Sequence, residues 1–206
     1  MNLQRLLADG VAALGVDLSA AQQQQLLDYV GLLNKWNQAY NLTAVRDPAE
    51  MVVRHILDSL SVLPHVQATE LIDVGTGAGI PGIPLAIALP GLRVTLLDSN
   101  GKKTRFAKQA ALELGLAHVE VVQARAEQYR SASPQVISRA FASLPDMLEV
   151  AGHLLAPGGR LLAMKAALAD VEMAGVQAPW QAERIALTVP GLDERRQLIV
   201  LTRDVA

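Results

Sequence analysis

Short apolar runs and helical stretches alternate along the chain after Thr69, and this alternation constrains the fold more than any other feature. The runs predict five strands, at residues 71–74, 94–97, 119–123, 136–138 and 161–164. Helices are predicted between them, around residues 83–88, 102–114 and 144–155. Because the runs are apolar and helices separate them, they predict parallel strands in a doubly wound sheet that helices cover on both faces.

The last part of the sequence has a different pattern. Residues 185–189 and 197–202 read as two more strands, and the segment PGLDERR between them is too short for a crossover helix. These strands predict an antiparallel hairpin at the sheet edge. The predicted fold class is therefore α/β: a Rossmann-like, seven-stranded and mostly parallel sheet with an antiparallel edge hairpin.

Helical patterns precede this sheet. Ser19 is a predicted N-cap that forms a capping box with Gln22, and Asp47 followed by Pro48 predicts a second helix start. Because the pattern changes near residue 66, we predict an N-terminal helical extension over residues 1–66. A Rossmann-like domain is predicted over residues 67–206.

The helix that begins after Asp47 is predicted to be amphipathic. Its apolar residues are expected in the core: Val52, Val53, Ile56, Leu57 and Leu60. Glu50, Arg54 and Asp58 stand four residues apart on the other face, where neighbouring charges alternate in sign. We expect this polar face to be at the surface.

Composition excludes several kinds of function. The 206 residues contain no cysteine, which excludes a disulfide framework, a cysteine zinc site and a thiol nucleophile, and no metal site is predicted. We find no signal peptide pattern and no uncharged apolar run of the roughly 18–20 residues that span a bilayer, so a soluble, cytoplasmic protein without a membrane partner is expected. The formal net charge is −2, so nucleic acid must be met by a local basic patch.

The segment LIDVGTGAGIPG, residues 71–82, carries the strongest functional signal. Gly75, Gly77 and Gly79 let the backbone turn tightly after the first strand and let a ligand approach it, and the next helix offers free N–H groups. The spacing of Gly77, Gly79 and Gly82 also fits the dinucleotide pattern G-x-G-x-x-G. Two nucleotide-type cofactors therefore compete.

Acidic residues at two strand ends favour one of them. Asp73 lies two residues before Gly75, and its charge suits S-adenosylmethionine, which carries an ammonium and a sulfonium, better than a pyrophosphate. Asp98 closes the second strand, where a carboxylate can accept both ribose hydroxyls of either cofactor. Ala126 and Glu127 follow the third strand, near the expected adenine edge; a helix-capping role is the alternative for Glu127.

Two basic residues close the next strands. Arg139 follows the fourth strand and Lys165 the fifth, and ligands of open α/β sheets bind at these carboxyl ends. Both are catalytic candidates, and Arg139 is also a candidate for cofactor binding. The structural alternatives are a buried salt bridge for Arg139 and a solvated strand end for Lys165. No catalytic base is identified.

The methyl acceptor is constrained by residues that the chain lacks. Methylation of pyrimidine carbon 5 normally needs a cysteine nucleophile. Exocyclic amines normally need a [DN]-P-P-[FYW] loop after the fourth strand, where this chain reads SRAFASLPD. Guanine N7 already carries a free in-plane lone pair, so orientation of the two substrates can supply much of the rate. The sequence is thus consistent with an N7 acceptor.

Several segments together resemble one family, the small-subunit ribosomal RNA methyltransferase G family, also called glucose-inhibited division protein B. The segments run from residue 35 to about residue 144: KWNQAYNLTAVRDP, RHILDSL, DVGTGAGIPGIPLA, LLDSNGKKTRF, ARAE and VISRAFASL. The resemblance implies a class I methyltransferase fold and methylation of guanine N7 in 16S rRNA, at position 527 in the usual numbering, with S-adenosylhomocysteine as product. It also implies cofactor contacts, at Gly75, Ile80, Ala126, Glu127 and Arg139.

Two basic groups are predicted to grip RNA phosphates. One lies in or beside the N-terminal helices and the other in the helix after the second strand: Lys35, Arg46, Arg54 and His55, then Lys102, Lys103 and Arg105. A core histidine is the alternative for His55. The expected partner is the small ribosomal subunit or its 16S rRNA, without a DNA partner, and the protein is expected to be a monomer.

Two other hypotheses stay open at the level of sequence. The glycine spacing alone also fits an NAD-dependent oxidoreductase. A non-catalytic RNA-binding or assembly module with a vestigial cofactor pocket is the second.

Overall fold

The computed structural model describes residues 2–139, 142–166 and 169–203. Helices dominate the first third of the chain, and strands alternate with helices after it. The α-helices are α1 (Leu3–Leu14), α2 (Ala20–Tyr40), α3 (Pro48–Met51), α4 (Asp58–Leu60), α5 (Gly82–Ala88), α6 (Gly101–Glu113), α7 (Leu144–Ala151) and α8 (Ala169–Met173). The strands are β1 (Glu70–Val74), β2 (Arg93–Asp98), β3 (Val119–Gln123), β4 (Ser133–Arg139), β5 (Leu155–Lys165), β6 (Trp180–Leu187) and β7 (Arg196–Arg203).

The seven strands form one sheet in the order β3-β2-β1-β4-β5-β7-β6. The first five strands of this order pair in parallel, and β7 pairs antiparallel with both β5 and β6. The predicted fold class, a mostly parallel Rossmann-like sheet with an antiparallel edge hairpin, is therefore confirmed. Strand order reverses beside β1, so the carboxyl ends of β1 and β4 flank a crevice in which ligands of such sheets bind.

The sheet separates two hydrophobic clusters, because successive strand residues point to opposite faces. Leu71 of β1 and Phe106 of α6 belong to one cluster, which also contains the buried residues of α1, α2 and the helices around residue 55. Ile72 of β1 and Met147 of α7 belong to the other. The N-terminal helices thus pack on the same face of the sheet as α5 and α6. The domain division at residue 66 stays a prediction.

Helix starts in the N-terminal region follow the predicted caps. The Ser19 hydroxyl oxygen accepts from the amide of Gln22, and the Gln22 side chain accepts from the amide of Ser19, which completes a capping box. Asp47 caps α3 by accepting from the amide of Ala49, with Pro48 in the first turn. These contacts are local, so the sequence was sufficient to predict them.

The helix after Asp47 differs from its prediction. It changes from α3 into a π-helix over Val52–Leu57 and back into α4, so its turns are wider than those of an α-helix. Every residue from His55 to Val62 is buried, so neighbouring elements cover this part of the helix on all sides, and only 1% of the surface of Asp58 is exposed. The expectation of Asp58 on a surface face is therefore wrong, and Val53 is half-buried rather than core.

Three element boundaries are also corrected. The helix predicted to reach residue 155 ends as α7 at Ala151, and β5 begins at Leu155 rather than at 161. Leu155 pairs with Ser133 of β4 before a register shift, and β6 begins at Trp180 opposite Arg203 of β7. Pairing with a neighbouring strand extends both strands past the apolar runs that predicted them.

Within the ranges that the structure describes, no helix combines the length and apolar character needed to cross a membrane.

Candidate functional site

A glycine turn follows β1. Gly75, Gly77 and Gly79 have φ values of +67°, +61° and +91°, a left-handed region that side chains with a Cβ rarely adopt. A Cβ on Gly79 would also lie 2.4 Å from Cδ1 of the buried Ile83. The sequence places glycines here because the turn needs both this backbone conformation and this close approach.

Asp73 organises the turn from the protein interior. One carboxylate oxygen, Oδ2, accepts hydrogen bonds from the Thr76 hydroxyl at 2.6 Å and from the Gly82 amide at 2.8 Å. The other oxygen, Oδ1, is buried without a hydrogen-bond partner. Burial raises the pKa of Asp73 to about 7. Its predicted contact with the cationic end of a cofactor stays a prediction.

Asp98 joins the glycine turn to the end of β2. Its Oδ2 accepts from the Gly77 amide at 2.8 Å, and its Oδ1 accepts from the Asn100 amide at 2.8 Å. Each carboxylate oxygen has a second lone pair, so Asp98 keeps acceptor capacity toward a ligand. The carboxylate therefore shapes the turn and can also accept hydrogen bonds from a ligand at the end of β2.

A cavity of about 350 Å³ opens at the carboxyl ends of β1, β2 and β3. Four predicted cofactor residues line it: Gly75, Asp98, Ala126 and Glu127. Ser99, Lys103 and Arg125 line it as well. Of these, Lys103 was predicted for RNA contact, and the other two were missed although they adjoin predicted residues. Proximity in the sequence was the signal that could have found them.

Five other predicted cofactor residues are not among those that line this cavity: Asp73, Gly77, Gly79, Ile80 and Arg139. Ile80 is buried in the hydrophobic cluster on the α5 face, and its amide donates to the Thr76 carbonyl. Gly77 and Gly79 lie within the turn behind Gly75 and shape it. Gly77 and Gly79 therefore shape the turn, and a contact of either glycine with the cofactor stays a prediction.

Arg139 ends β4, and its guanidinium contacts three residues of one helical segment, residues 54–58. Nη1 donates to the Arg54 carbonyl at 2.8 Å and to Asp58 Oδ2 at 3.1 Å. Nη2 lies 3.3 Å from Nδ1 of His55. The buried salt bridge that the sequence left as an alternative for Arg139 is therefore present, beside the strand-end position that made it a candidate.

Asp58 also binds a second arginine from the far end of the chain. Arg196 Nε lies 3.2 Å from Asp58 Oδ1, and Arg196 Nη1 lies 3.2 Å from Glu194. Glu194 binds Arg54 at 2.8 Å. We call these five residues the arginine cluster: Arg54, Asp58, Arg139, Glu194 and Arg196.

Sequence reasoning missed Glu194 and Arg196. Both lie in or next to the segment that connects β6 with β7, about 140 residues after the helix that they contact. No local spacing or motif relates such distant residues, so only the folded chain brings them together.

His55 lies in the interior, with 4% of its surface exposed. Its Nε2 is 2.9 Å from the Thr43 hydroxyl. Burial, and next the charge of Arg139, lower the pKa of His55 to about 4. The histidine is therefore neutral at pH 7. It lies among core residues rather than at the surface, which was the alternative to RNA contact in the sequence analysis.

Lys165 ends β5 beside α8. Its Nζ lies 2.8 Å from Glu172 and donates to the Ala142 carbonyl. Glu172 also accepts from the Leu144 amide at 2.9 Å. Lys165 thus joins β5 to α8 and to the segment before α7. It is not the solvated strand end that the sequence analysis gave as the alternative to a catalytic role. Residues 140 and 141 of the predicted SRAFASLPD loop lie outside the described residues.

The remaining basic candidates lie near the surface in two places. Lys35 is exposed on α2 and Arg46 in the loop that follows α2, and Arg46 donates to the Asn37 carbonyl and the Asn41 side chain. Lys102 and Arg105 are exposed on α6, which begins directly after the carboxyl end of β2. The α6 group therefore adjoins the cavity.

This sheet order, its edge hairpin and its glycine-turn cavity define a class I methyltransferase fold. Two solved structures share it: the cofactor-bound Rv0187 from MTB, with a TM-score of 0.61 and 20% identity over 86% of this chain and 91% of that one; and the O-methyltransferase TomG from Streptomyces achromogenes in complex with SAM, with a TM-score of 0.59 and 18% identity over 99% and 100%. At these identities the likeness concerns the fold.

Sequence comparison then identifies the particular family. The model of the family GidB, rRNA small subunit methyltransferase G, matches residues 22–200. Two relatives carry the name Ribosomal RNA small subunit methyltransferase G. The one from Marinobacter nauticus is 55% identical over 96% of this chain and 94% of its own length. The one from Shewanella amazonensis is 52% identical over 98% and 99%. The chain belongs to the rRNA small subunit methyltransferase G family, which confirms the resemblance found in its motifs.

Proposed function

We propose that the protein transfers a methyl group from S-adenosylmethionine to N7 of a guanine in 16S rRNA, at position 527 in the usual numbering, and releases S-adenosylhomocysteine. One observation carries the proposal: a single cavity at the strand ends is lined by Gly75, Asp98, Ala126 and Glu127, in a chain of this family. Membership in a methyltransferase family decides against the oxidoreductase alternative.

The cavity fits the cofactor in size and in chemistry. Its volume of about 350 Å³ is within the usual range for small-molecule sites. Asp98 would accept the ribose hydroxyls, and the loop at Ala126 and Glu127 would meet the adenine edge. Gly75 lets the ligand approach the backbone without a Cβ in the way. Bound there, the cofactor supplies an electrophilic methyl group.

Arg139, at the carboxyl end of β4, would hold the amino-acid part of the cofactor. Asp73 lies on the neighbouring β1 with its Oδ1 unpaired, so we propose that Arg139 receives the carboxylate of the cofactor and Asp73 its ammonium. Lys165 is less suited to catalysis because Glu172 and the Ala142 carbonyl already bind its ammonium. We propose that Lys165 positions the segment after β4.

The chain's part in the reaction is orientation. Guanine N7 needs no prior deprotonation, so the residues must only hold the base and the methyl donor in line and exclude water. RNA phosphates would be bound by Lys35, Arg46 and Arg54 beside the N-terminal helices, and by Lys102, Lys103 and Arg105 on α6. We propose a monomer that acts in the cytoplasm on the small ribosomal subunit.

The test is methylation of small subunits from cells that lack the enzyme. We expect 7-methylguanosine in the digested 16S rRNA by mass spectrometry. Gly75→Asp should abolish it, whereas Gly15→Asp should not, because both glycines have φ +67° but Gly15 faces open space after α1. A different methylated nucleoside would disprove the N7 assignment. RNA binding without methylation, at any salt concentration, would favour the assembly module instead.

A further inference from the structure

The π-helical turn at Val52–Leu57 leaves one backbone carbonyl available. In an α-helix the amide of Asp58 would donate to the Arg54 carbonyl. Here that amide donates to the carbonyls of Val53 and His55 instead. The Arg54 carbonyl accepts from Arg139 Nη1 at 2.8 Å. The irregular turn thus creates an acceptor for a side chain of the sheet. Single π-turns within α-helices occur frequently at functional sites.

Three acceptors from this one segment face the same guanidinium. The Arg54 carbonyl and Asp58 Oδ2 both accept from Nη1, and His55 Nδ1 lies opposite Nη2. A planar guanidinium that is bound at two of its nitrogens has its plane and direction fixed. The segment therefore sets where Arg139 points at the end of β4.

The neighbours of His55 determine which of its nitrogens carries the proton. Arg139 can only donate, so Nδ1 of the neutral ring must accept. Nε2 then carries the hydrogen and donates to the Thr43 hydroxyl, 2.9 Å away. Thr43 is itself held by the buried Asn37, whose side-chain oxygen accepts from the Thr43 amide at 2.9 Å. Arg139 is thus connected through His55 to the loop after α2.

We propose that the π-helical turn is a positioning device for Arg139, and that His55 is a positioning residue that acts through the lone pair on Nδ1. The inference rests on the proposed function, in which Arg139 contacts the cofactor. Holding the guanidinium in its binding direction before the ligand arrives lowers the entropy cost of binding. His55 does not need to touch the cofactor for this effect.

Three substitutions of His55 separate this role from simple packing. In His55→Asn, the amide oxygen takes the place of Nδ1 and keeps an acceptor for Arg139. In His55→Gln, the amide takes the place of Nε2 and keeps the contact with Thr43. His55→Leu keeps apolar volume and removes both contacts. The three variants of the full chain therefore differ in which polar contact survives.

The measurement is the dissociation constant of S-adenosylmethionine by calorimetry, with the unfolding midpoint in urea alongside. We expect about tenfold weaker binding for His55→Gln and His55→Leu, and binding within about twofold of wild type for His55→Asn. In the methylation assay the first two should raise KM for the cofactor more than they lower kcat.

Several outcomes would overturn the inference. Equal affinity in all variants, or affinity losses that follow the unfolding midpoint regardless of which contact is kept, would make His55 a packing residue. A folded His55→Asn variant with tenfold weaker binding would do so even if His55→Gln failed to fold. If the wild-type protein bound no S-adenosylmethionine, the proposed function would fail and the inference with it.

Discussion

The candidate site has two halves along the carboxyl ends of the parallel strands, and they are built in different ways. Over β1, β2 and β3, the cavity wall consists mostly of residues within a few positions of a strand's carboxyl end, such as Gly75, Asp98 and Ala126. Over β4 and β7, the arginine cluster joins side chains that are up to 140 residues apart. The first half depends on local conformation, whereas the second depends on how the N-terminal helices dock on the sheet. The two halves should therefore respond differently to mutation and to pH.

The largest effect is expected at the centre of the arginine cluster. Asp58→Asn removes the buried carboxylate that Arg139 and Arg196 share, which leaves Arg139 without an anion in the cluster and Arg196 with Glu194 alone. The free energy of unfolding should fall by about 3–5 kcal/mol, as measured by urea denaturation. Asp9→Asn, which breaks an exposed pair with Arg5 on α1, is the control and should leave the midpoint unchanged. A loss as small as that control would show that Asp58 does not hold the cluster together.

The glycine turn should respond to a single added methyl group. Gly79→Ala combines a strained φ of +91° with a Cβ that lies 2.4 Å from Ile83 Cδ1, and should cost about 3 kcal/mol of unfolding free energy. Gly115→Ala has a φ of +67° but no atom within 4 Å, so it should cost about 1 kcal/mol. Similar costs for both variants would mean that crowding contributes nothing to the choice of glycine at position 79.

A buried titratable group in each half should change the free energy of unfolding with pH, and the two changes should have opposite signs. Burial raises the pKa of Asp73 to about 7, so between about pH 4 and pH 7 the native state holds a proton that the unfolded chain has lost, and stability falls as pH rises. Burial lowers the pKa of His55 to about 4, so between about pH 4 and pH 6.5 the unfolded chain holds the extra proton, and stability rises with pH.

Two variants separate these slopes. Relative to wild type, Asp73→Asn should make the slope of unfolding free energy against pH more positive, and His55→Asn should make it more negative. Each change should be at most about 1.4 kcal/mol per pH unit. Urea denaturation at half-unit intervals from pH 4 to pH 7 provides the slopes. A change of the same sign in both variants would contradict the assignment of the two buried groups.

The smallest effect concerns the contact between the N-terminal helices and the glycine turn. The Tyr29 hydroxyl of α2 donates to the Ala78 carbonyl at 2.8 Å. Tyr29→Phe keeps the ring beside Phe106 and leaves that carbonyl unpaired, so the free energy of unfolding should fall by about 1 kcal/mol. Tyr40→Phe, at an exposed position, is the matched control. No difference between the two would show that this hydrogen bond does not support the turn.

Much of the fold and half of the candidate site could be predicted from the sequence. The alternation of strands and helices, the edge hairpin, the caps at Ser19 and Asp47 and the glycine turn all follow from residues near one another in the chain. Residues at or after the ends of β1, β2 and β3 line one cavity, because parallel strands end at the same edge of a sheet, and their contact with a cofactor stays a prediction. Local conformation and hydrophobic periodicity are encoded within a few residues, so the sequence by itself determined them.

The arginine cluster was decided only by the tertiary structure. Periodicity predicted Asp58 at the surface, but distant elements cover the helix on all sides from His55 to Val62 and enclose Asp58 in the interior. Its partner Arg196 comes from the start of β7, and the position of that strand depends on pairing with β5. A buried charge takes its partners from whatever the docked elements bring near it. That choice depends on the packing of distant segments, and local spacing in the sequence does not contain it.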